Sequence, residues 1–196
     1  MSTVDQRLSQ GAFLAAALSV FEKMGFGAAR VEDILKAAGI ARRTFYRYFK
    51  SKDDVLAALY QVAMNEILAA MTVAGSDEDP LRGVHRAIDV YLDYHRENAA
   101  TLRVLLGQAV RTDSPLHALR RTFRAALVKI LGDVARSEKK DFHPLVFVAL
   151  ISALEGLSFE VLEPGAKRRD LETARATAHA LLTTTFDSAR AFPRAR

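Results

Sequence analysis

The sequence predicts an all-α protein of about nine helices, a short N-terminal trio followed by a larger helical remainder. Apolar residues recur three and four positions apart along nearly the whole chain, the period of a helix buried on one side. No stretch shows the sustained period-two alternation, bounded by hairpin turns, that marks strands. Turn signals such as Gly75-Ser-Asp-Glu-Asp-Pro80 and Glu163-Pro-Gly165 cut the chain into helix-length pieces.

Taken in order, Phe13, Ala17, Val20 and Met24 share one face of a first helix, which Gly25 is placed to end in a left-handed conformation. Val31 to Ala38 and Arg42 to Phe49 form two short helices separated by Gly39-Ile40-Ala41. Ser51 followed by Asp54 is a capping-box pattern, and it opens a fourth helix running to about Ala74. Pro80 suits the first turn of a fifth helix over 80–97. Further helices cover 99–110, 115–138, 143–162 and 170–191, and Pro193 to Arg196 reads as a free basic tail.

Of the 196 residues half are apolar, enough to bury a substantial core. The absence of cysteine removes disulfides and thiolate metal sites and fits a cytoplasmic protein. His85, His95, His117, His143 and His179 show no ligand spacing, so neither a metal nor another cofactor is expected. Gly11 to Phe21 has the composition of a secretory leader, but Asp5 breaks the basic flank at Arg7 and Glu22-Lys23 closes the run. The uncharged run Phe142 to Leu154 falls short of the roughly 18 to 20 apolar residues that span a bilayer, so no membrane partner is expected. No P-loop, G-x-S-x-G, H-E-x-x-H or dinucleotide fingerprint occurs, which argues against an enzyme.

Charge is distributed unevenly. Residues 1–52 hold nine Lys/Arg against four Asp/Glu, whereas residues 53–196 hold nineteen of each, so the net +5 belongs to the first quarter of the chain. Arg42 to Lys52 (RRTFYRYFKSK) carries five cations and no acid. On a helical wheel Phe45 and Phe49 share one face, with Arg43, Arg47 and Lys50 pointing away and Thr44 beside Tyr48 on the flank. The two phenylalanines, with Ile34, Leu35 and Ile40, can anchor the third helix against the second. The short Gly39-Ile40-Ala41 connection suits a helix-turn-helix that presents its second helix to a major groove. Arginine forms bidentate bonds with guanine, while Thr, Tyr and Lys reach phosphates and set the register.

Phe21…Gly25-Phe26, Val31-Glu-Asp-Ile34, Ala37-Ala-Gly-Ile40, Thr44-Phe-Tyr-Arg-Tyr-Phe49 and Lys50-Ser-Lys-Asp-Asp-Val-Leu56 resemble, in order and without a gap, the DNA-binding domain of the TetR family of bacterial transcriptional regulators. The resemblance covers residues 7–55. It implies a DNA-binding domain over 1–52 and an effector-binding and dimerisation domain over 53–196. It also implies that Arg42, Arg43, Thr44, Tyr46, Arg47 and Tyr48 face DNA and that Lys52 anchors a phosphate. Two departures concern helix starts: the Ser or Thr that usually opens the recognition helix is Ala41, and the Thr usually preceding the second helix is replaced around Ala29-Arg30. Losing an N-cap oxygen costs roughly 0.5 to 2 kcal/mol, so the recognition helix is expected to fray until DNA supplies partners.

Beyond residue 80 the resemblance thins to a helical pattern, and it implies that the last two long helices pair with their copies in a homodimer. Leu171, Ala174, Ala178, Leu181, Thr185 and Ala189 form a stripe of mostly small residues, and Leu145, Val148, Ser152, Glu155 and Phe159 trace another. An effector pocket is expected among helices spanning 55–162. Tyr60, Met64, Tyr91, Tyr94 and His95 are candidate lining residues, as are Leu105, Phe123, Phe147 and Phe159, which together favour an apolar or aromatic small molecule. Arg120-Arg121 with Arg124, and Lys167-Arg-Arg169, read as solvated faces. The expected function is a repressor released from palindromic double-stranded DNA by its effector. An activator, a ligand-independent regulator and a helical adaptor for acidic protein are the alternatives.

Overall fold

The computed structural model describes residues 3–194, with only the backbone described for residues 3–10 and Arg190. The side chains of Asp5 and Arg7, and the tail residues Ala195 and Arg196, lie outside the described residues. Among those described there are nine α-helices and no strand. The first four are α1 (Thr3–Met24), α2 (Val31–Ala38), α3 (Arg42–Tyr48) and α4 (Lys52–Ala74). Then come α5 (Pro80–Glu97), α6 (Ala99–Ala109), α7 (Leu116–Ser137), α8 (Pro144–Leu162) and α9 (Arg168–Asp187).

The helix ends follow local chemistry. Gly25 (φ +76°) and Gly39 (φ +64°) take the left-handed conformation that closes α1 and α2. Ser51 Oγ accepts from Asp54 N at 3.3 Å, while the Asp54 carboxylate accepts from Lys50 N at 2.7 Å, one residue earlier than a reciprocal capping box. Asp79 caps α5 by accepting from Arg82 N at 3.0 Å, with Pro80 at the first position. Ala41 brings no oxygen to the start of α3. α9 stops at Asp187, short of the expected 191, and a 3-10 turn follows over Ala189–Ala191. The chain is not free from Pro193: its carbonyl accepts from His143 N at 2.8 Å, and the Phe192 ring lies 6.1 Å from Phe142.

Two compact units emerge, one formed by residues through Ala63 together with Ala100–Arg120, the other by Met64–Ala99 and the chain from Arg121 onward. This division differs from a boundary after residue 52, because α6 contributes buried Leu102, Leu105 and Leu106 and Thr101 donates to Glu22 of α1 at 3.2 Å. The first unit is centred on Phe13, Ala17, Phe21, Ile34 and Phe45, whereas Met24, expected on that face, is 48% exposed. In the second unit Phe142 lies 5.7 Å from Phe147 and 5.4 Å from Phe186. α4 and α8 are long and apolar enough to cross a membrane by length and composition. The shorter run Phe142 to Leu154 does not suggest this, because α8 continues through Gly156 to Leu162.

Candidate nucleic-acid interface and internal cavity

α3 has two faces of opposite character. Phe45 and Phe49 are buried, their rings 5.8 Å apart, and Phe13 of α1 meets both, stacked on Phe49 at 5.2 Å and edge-on to Phe45 at 5.9 Å. Sequence alone misses this third ring, because its spacing along α1 identifies a buried face without naming its partner. Opposite, Arg42, Arg43, Arg47 and Lys50 are exposed, as are Tyr46 and Tyr48, at 48% and 47%. Two aromatic rings left half in water beside cations are unusual for a merely solvated surface and suit stacking and bonding against a polyanion.

Two of the three arginines, Arg42 and Arg47, are already oriented. Arg42 pairs with Glu32 of α2 at 3.2 Å and lies 5.6 Å from the Tyr46 ring. Arg47 donates to the Tyr48 hydroxyl at 3.1 Å and lies 4.8 Å from that ring. Thr44 is half-buried on the flank.

Lys52 takes a different position from the expected phosphate anchor. Its ammonium donates to the carbonyls of Phe26 (2.7 Å), Gly27 (3.1 Å) and Ala29 (2.8 Å) and lies 4.7 Å from the Phe26 ring. An ammonium has three protons, and here each has a carbonyl. Lys52 thus clamps the α1–α2 connection to the first turn of α4, a placement that differs from the outward one expected of a phosphate anchor. No spacing rule could have shown it, since the acceptors are backbone atoms of another segment.

The second unit contains a cavity of about 340 Å³. α4 contributes Leu68, Met71 and Thr72; α5 contributes Gly83, Val84, Ala87 and Ile88; α7 contributes Leu127, Ile130, Leu131 and Val134. Leu150, Ile151 and Leu154 of α8 and Ala178, Leu181 and Leu182 of α9 complete most of the wall. Ile130 and Leu181, 42% and 41% exposed, mark the mouth. Where α5 passes the end of α4, a Cβ on Gly83 would lie 2.3 Å from the Gly75 carbonyl oxygen, so only glycine permits this approach.

None of the expected pocket residues lines this cavity. Tyr60, Met64, Tyr91, His95, Leu105 and Phe147 are buried packing residues, and Phe123 and Phe159 are half-buried. Tyr94 donates to Glu66 at 3.0 Å. Burial raises the Tyr60 phenol to about 12 and lowers the His95 imidazole to about 4. The expected lining was aromatic rings with polar handles, whereas the cavity wall is built from aliphatic residues.

Beside the cavity, Asp77 has a side chain 6% exposed and accepts from Arg82 Nε at 3.1 Å, Arg82 Nη2 at 2.8 Å and Asp79 N at 2.9 Å. Arg86 pairs with the same carboxylate and donates to Ala74 O at 2.9 Å. These contacts, led by the Arg82 hydrogen bonds, hold the Asp77 carboxyl well below the usual carboxylate range. Histidines distant in sequence also meet: the His85 and His179 rings are 4.6 Å apart, with His179 Nε2 2.9 Å from Asp89. Among the described residues no group of three or more His, Asp or Glu could hold a metal ion.

The expected dimer stripes need correction. Ala174, Ala178 and Thr185 are buried inside the protomer, and Leu171, Val148 and Phe159 are half-buried. Of the expected residues Leu181, Leu145 and Ser152 do face outward; the rest of the outward face of α9 is Thr173, Ala176, Thr177, Ala180 and Thr184, along a shallow groove. On α8 it is Leu145, 66% exposed, with Ala149, Ser152 and Gly156. Small residues occupy both faces of α9, so periodicity alone could not choose the phase. Arg124, expected on a solvated face, is mostly buried, pairing with Glu155 and donating to Ser152 Oγ at 2.7 Å.

A three-helix head with an exposed cationic third helix, on an all-α chain, defines a helix-turn-helix protein. Residues 13–59, the helix-turn-helix head and the start of α4, match the family model described as bacterial regulatory proteins, tetR family. It is similar to the HTH-type transcriptional regulator EthR of Mycolicibacterium smegmatis, 33% identical over 96 residues, which are 48% of this chain and 44% of that protein. The HTH-type transcriptional regulator RutR of Escherichia coli K12 is 30% identical over 86 residues, 44% of this chain and 41% of that one. The match therefore spans less than half the length of either relative. Among solved structures, the TetR family transcriptional regulator PfmR from Thermus thermophilus shares 25% identity with a TM-score of 0.66, covering 87% of this chain and 97% of that one.

Proposed function

We propose that this chain is a sequence-specific DNA-binding transcriptional regulator, a cytoplasmic homodimer that represses from a palindromic operator and is released by a small effector held in the second unit. The observation that carries the reading is the exposed Arg42, Arg43, Tyr46, Arg47 and Tyr48 surface fixed on a buried ring cluster of Phe13, Phe45 and Phe49. Arg43 and Arg47 suit base edges, and Thr44, Tyr46 and Tyr48 suit phosphates. One seven-residue helix reaches few base pairs. Two copies whose recognition helices lie about 34 to 36 Å apart would meet successive major grooves.

The outward faces of α8 and α9 support that pairing. The most apolar 18-residue window of α8 is only 33% buried within the protomer, and small outward residues let helices approach closely. Ala180→Glu, on this face, is expected to split the dimer in analytical ultracentrifugation.

Genomic-fragment selection with the purified chain, followed by fluorescence anisotropy at several salt concentrations, tests the whole reading. Affinity for the selected site should fall with a log–log slope near −0.9 per neutralised phosphate, and Arg47→Ala should cost roughly 1 to 3 kcal/mol while relaxing base preference. An affinity independent of salt and of DNA sequence would leave the adaptor alternative standing instead.

A further inference from the structure

If an effector occupies the cavity, as proposed above, the wall narrows what it can be. Apart from Thr72 and Asp77, every side chain lining the cavity is aliphatic, a thioether or absent, and none is aromatic or cationic. Both polar exceptions are already engaged. Thr72 Oγ1 donates to Leu68 O at 2.7 Å, and the Asp77 carboxylate is held by Arg82 and Arg86.

A planar ring would find no partner ring here, and its rigid outline must fit a wall of branched Leu, Ile and Val groups. An ionised group carried inside would meet no free counter-charge and would lose its hydration. An alkyl chain suits the wall, since each methylene exchanges water for methyl and methylene contacts.

We propose, resting on the effector reading and deepening it, that the cavity binds an uncharged aliphatic chain, such as that of a long-chain alcohol, ester or lactone, with its polar end on the side of the mouth beside Ile130 of α7. The same wall disfavours a ligand that must carry an ionised group inside, and it offers a rigid planar ring a poorer fit than a flexible chain of equal size.

The test is isothermal titration of the full chain with the straight-chain alcohols from hexanol to dodecanol, the matching carboxylates near neutral pH, and 2-naphthol. Alcohol affinity should rise about fourfold per methylene until the cavity is full and then level off. Carboxylates should bind more weakly than alcohols of equal length wherever the chain draws its polar end in from the mouth, since the charge then loses hydration with no free counter-charge, and 2-naphthol should bind more weakly than octanol because its rigid outline fits the branched wall less well. Ile130→Trp, at the partly exposed mouth, should abolish alcohol binding while leaving the melting temperature and far-UV spectrum unchanged.

Tight 2-naphthol or carboxylate binding that Ile130→Trp removes, with a flat alcohol series, overturns the ligand class but keeps the effector cavity. Alcohol binding that survives Ile130→Trp overturns the assignment to this cavity. Binding of no ligand from any of the three series overturns this proposal. If, in addition, no small-molecule extract releases the selected DNA, the effector reading falls with it.

Discussion

Replacing Lys52 with methionine separates a structural clamp from a phosphate anchor. Methionine keeps most of the aliphatic stem and removes the ammonium. Three carbonyls then lose a donor, those of Phe26, Gly27 and Ala29, at 2.7, 3.1 and 2.8 Å. The Gly27 bond is exposed, so water replaces it at little cost, whereas the Phe26 and Ala29 bonds are partly buried. Each of those two should cost about 1 kcal/mol, the low end for an acceptor left unsatisfied. Removing the cation near the Phe26 ring adds ~0.5 to 1 kcal/mol.

The sum, about 2.5 to 3 kcal/mol, corresponds to roughly 70- to 160-fold faster amide exchange wherever opening of the head limits exchange. Hydrogen-exchange mass spectrometry of the full chain should show this in peptides spanning the α1–α2 connection and α2, with the second unit unaffected. A phosphate anchor gives the opposite pattern. Exchange would be unchanged, and the salt slope for DNA binding would shrink by about 0.9. That second pattern would refute the clamp.

Three other substitutions probe the head, the buried histidine and the glycine contact. Ala41→Ser supplies the oxygen missing at the start of α3, whose Ala41 backbone is already extended (φ −73°, ψ 147°), and should stabilise that helix by ~0.5 to 2 kcal/mol. The readout is slower exchange in α3 with tighter DNA binding, and unchanged exchange would mean that the cap does not limit order there. His95, 1% exposed, is held at about 4 by burial, against an ordinary value near 6.5. As pH falls the unfolded chain takes up this proton first, so stability intact above about pH 6.5 is lost progressively down to about 4, by at most ~3 kcal/mol. His95→Leu should flatten that limb in urea titrations at stepped pH, and an unaltered limb would assign the acid lability elsewhere. Gly83→Ala places a Cβ 2.3 Å from a backbone oxygen and should destabilise by about 1 to 3 kcal/mol or more, whereas Gly107→Ala, with nothing within 4 Å, should be neutral or gain up to ~1 kcal/mol. Equal melting temperatures for the two would contradict the close contact between α4 and α5.

Local signals were legible in the sequence because they involve neighbours in the chain. Gly25 and Gly39 end their helices, Asp79-Pro80 opens α5, and the Phe45–Phe49 spacing buries one face of α3. What failed required knowing which face meets which. Ala174 and Ala178 look like interface residues until α5 and α8 are packed around α9; Ala176 and Ala180 then prove to be outward. The cavity escaped for a related reason. It exists where aliphatic walls fail to close, and no residue type announces a gap. Gly83 is a lining residue whose identity hints at it, since a glycine within a helix often marks a close backbone approach.

α4 gives the proposed response a physical carrier. Its first residue, Lys52, holds the α1–α2 connection, and its later turns line the cavity through Leu68, Met71 and Thr72, all within one uninterrupted helix. A ligand shifts a two-state equilibrium only by its difference in affinity for the two states, so the proposed effector must bind one state of the protein more tightly than the other. Reciprocity then fixes a relation between two measurements: DNA must weaken ligand binding by the same factor by which ligand weakens DNA binding. Lys52→Met sharpens this relation. It loosens the joint at one end of α4 without touching the cavity, so ligand affinity for the free protein should be preserved while the mutual factor falls toward one. A factor that survives in Lys52→Met would mean that the signal leaves α4 by another contact.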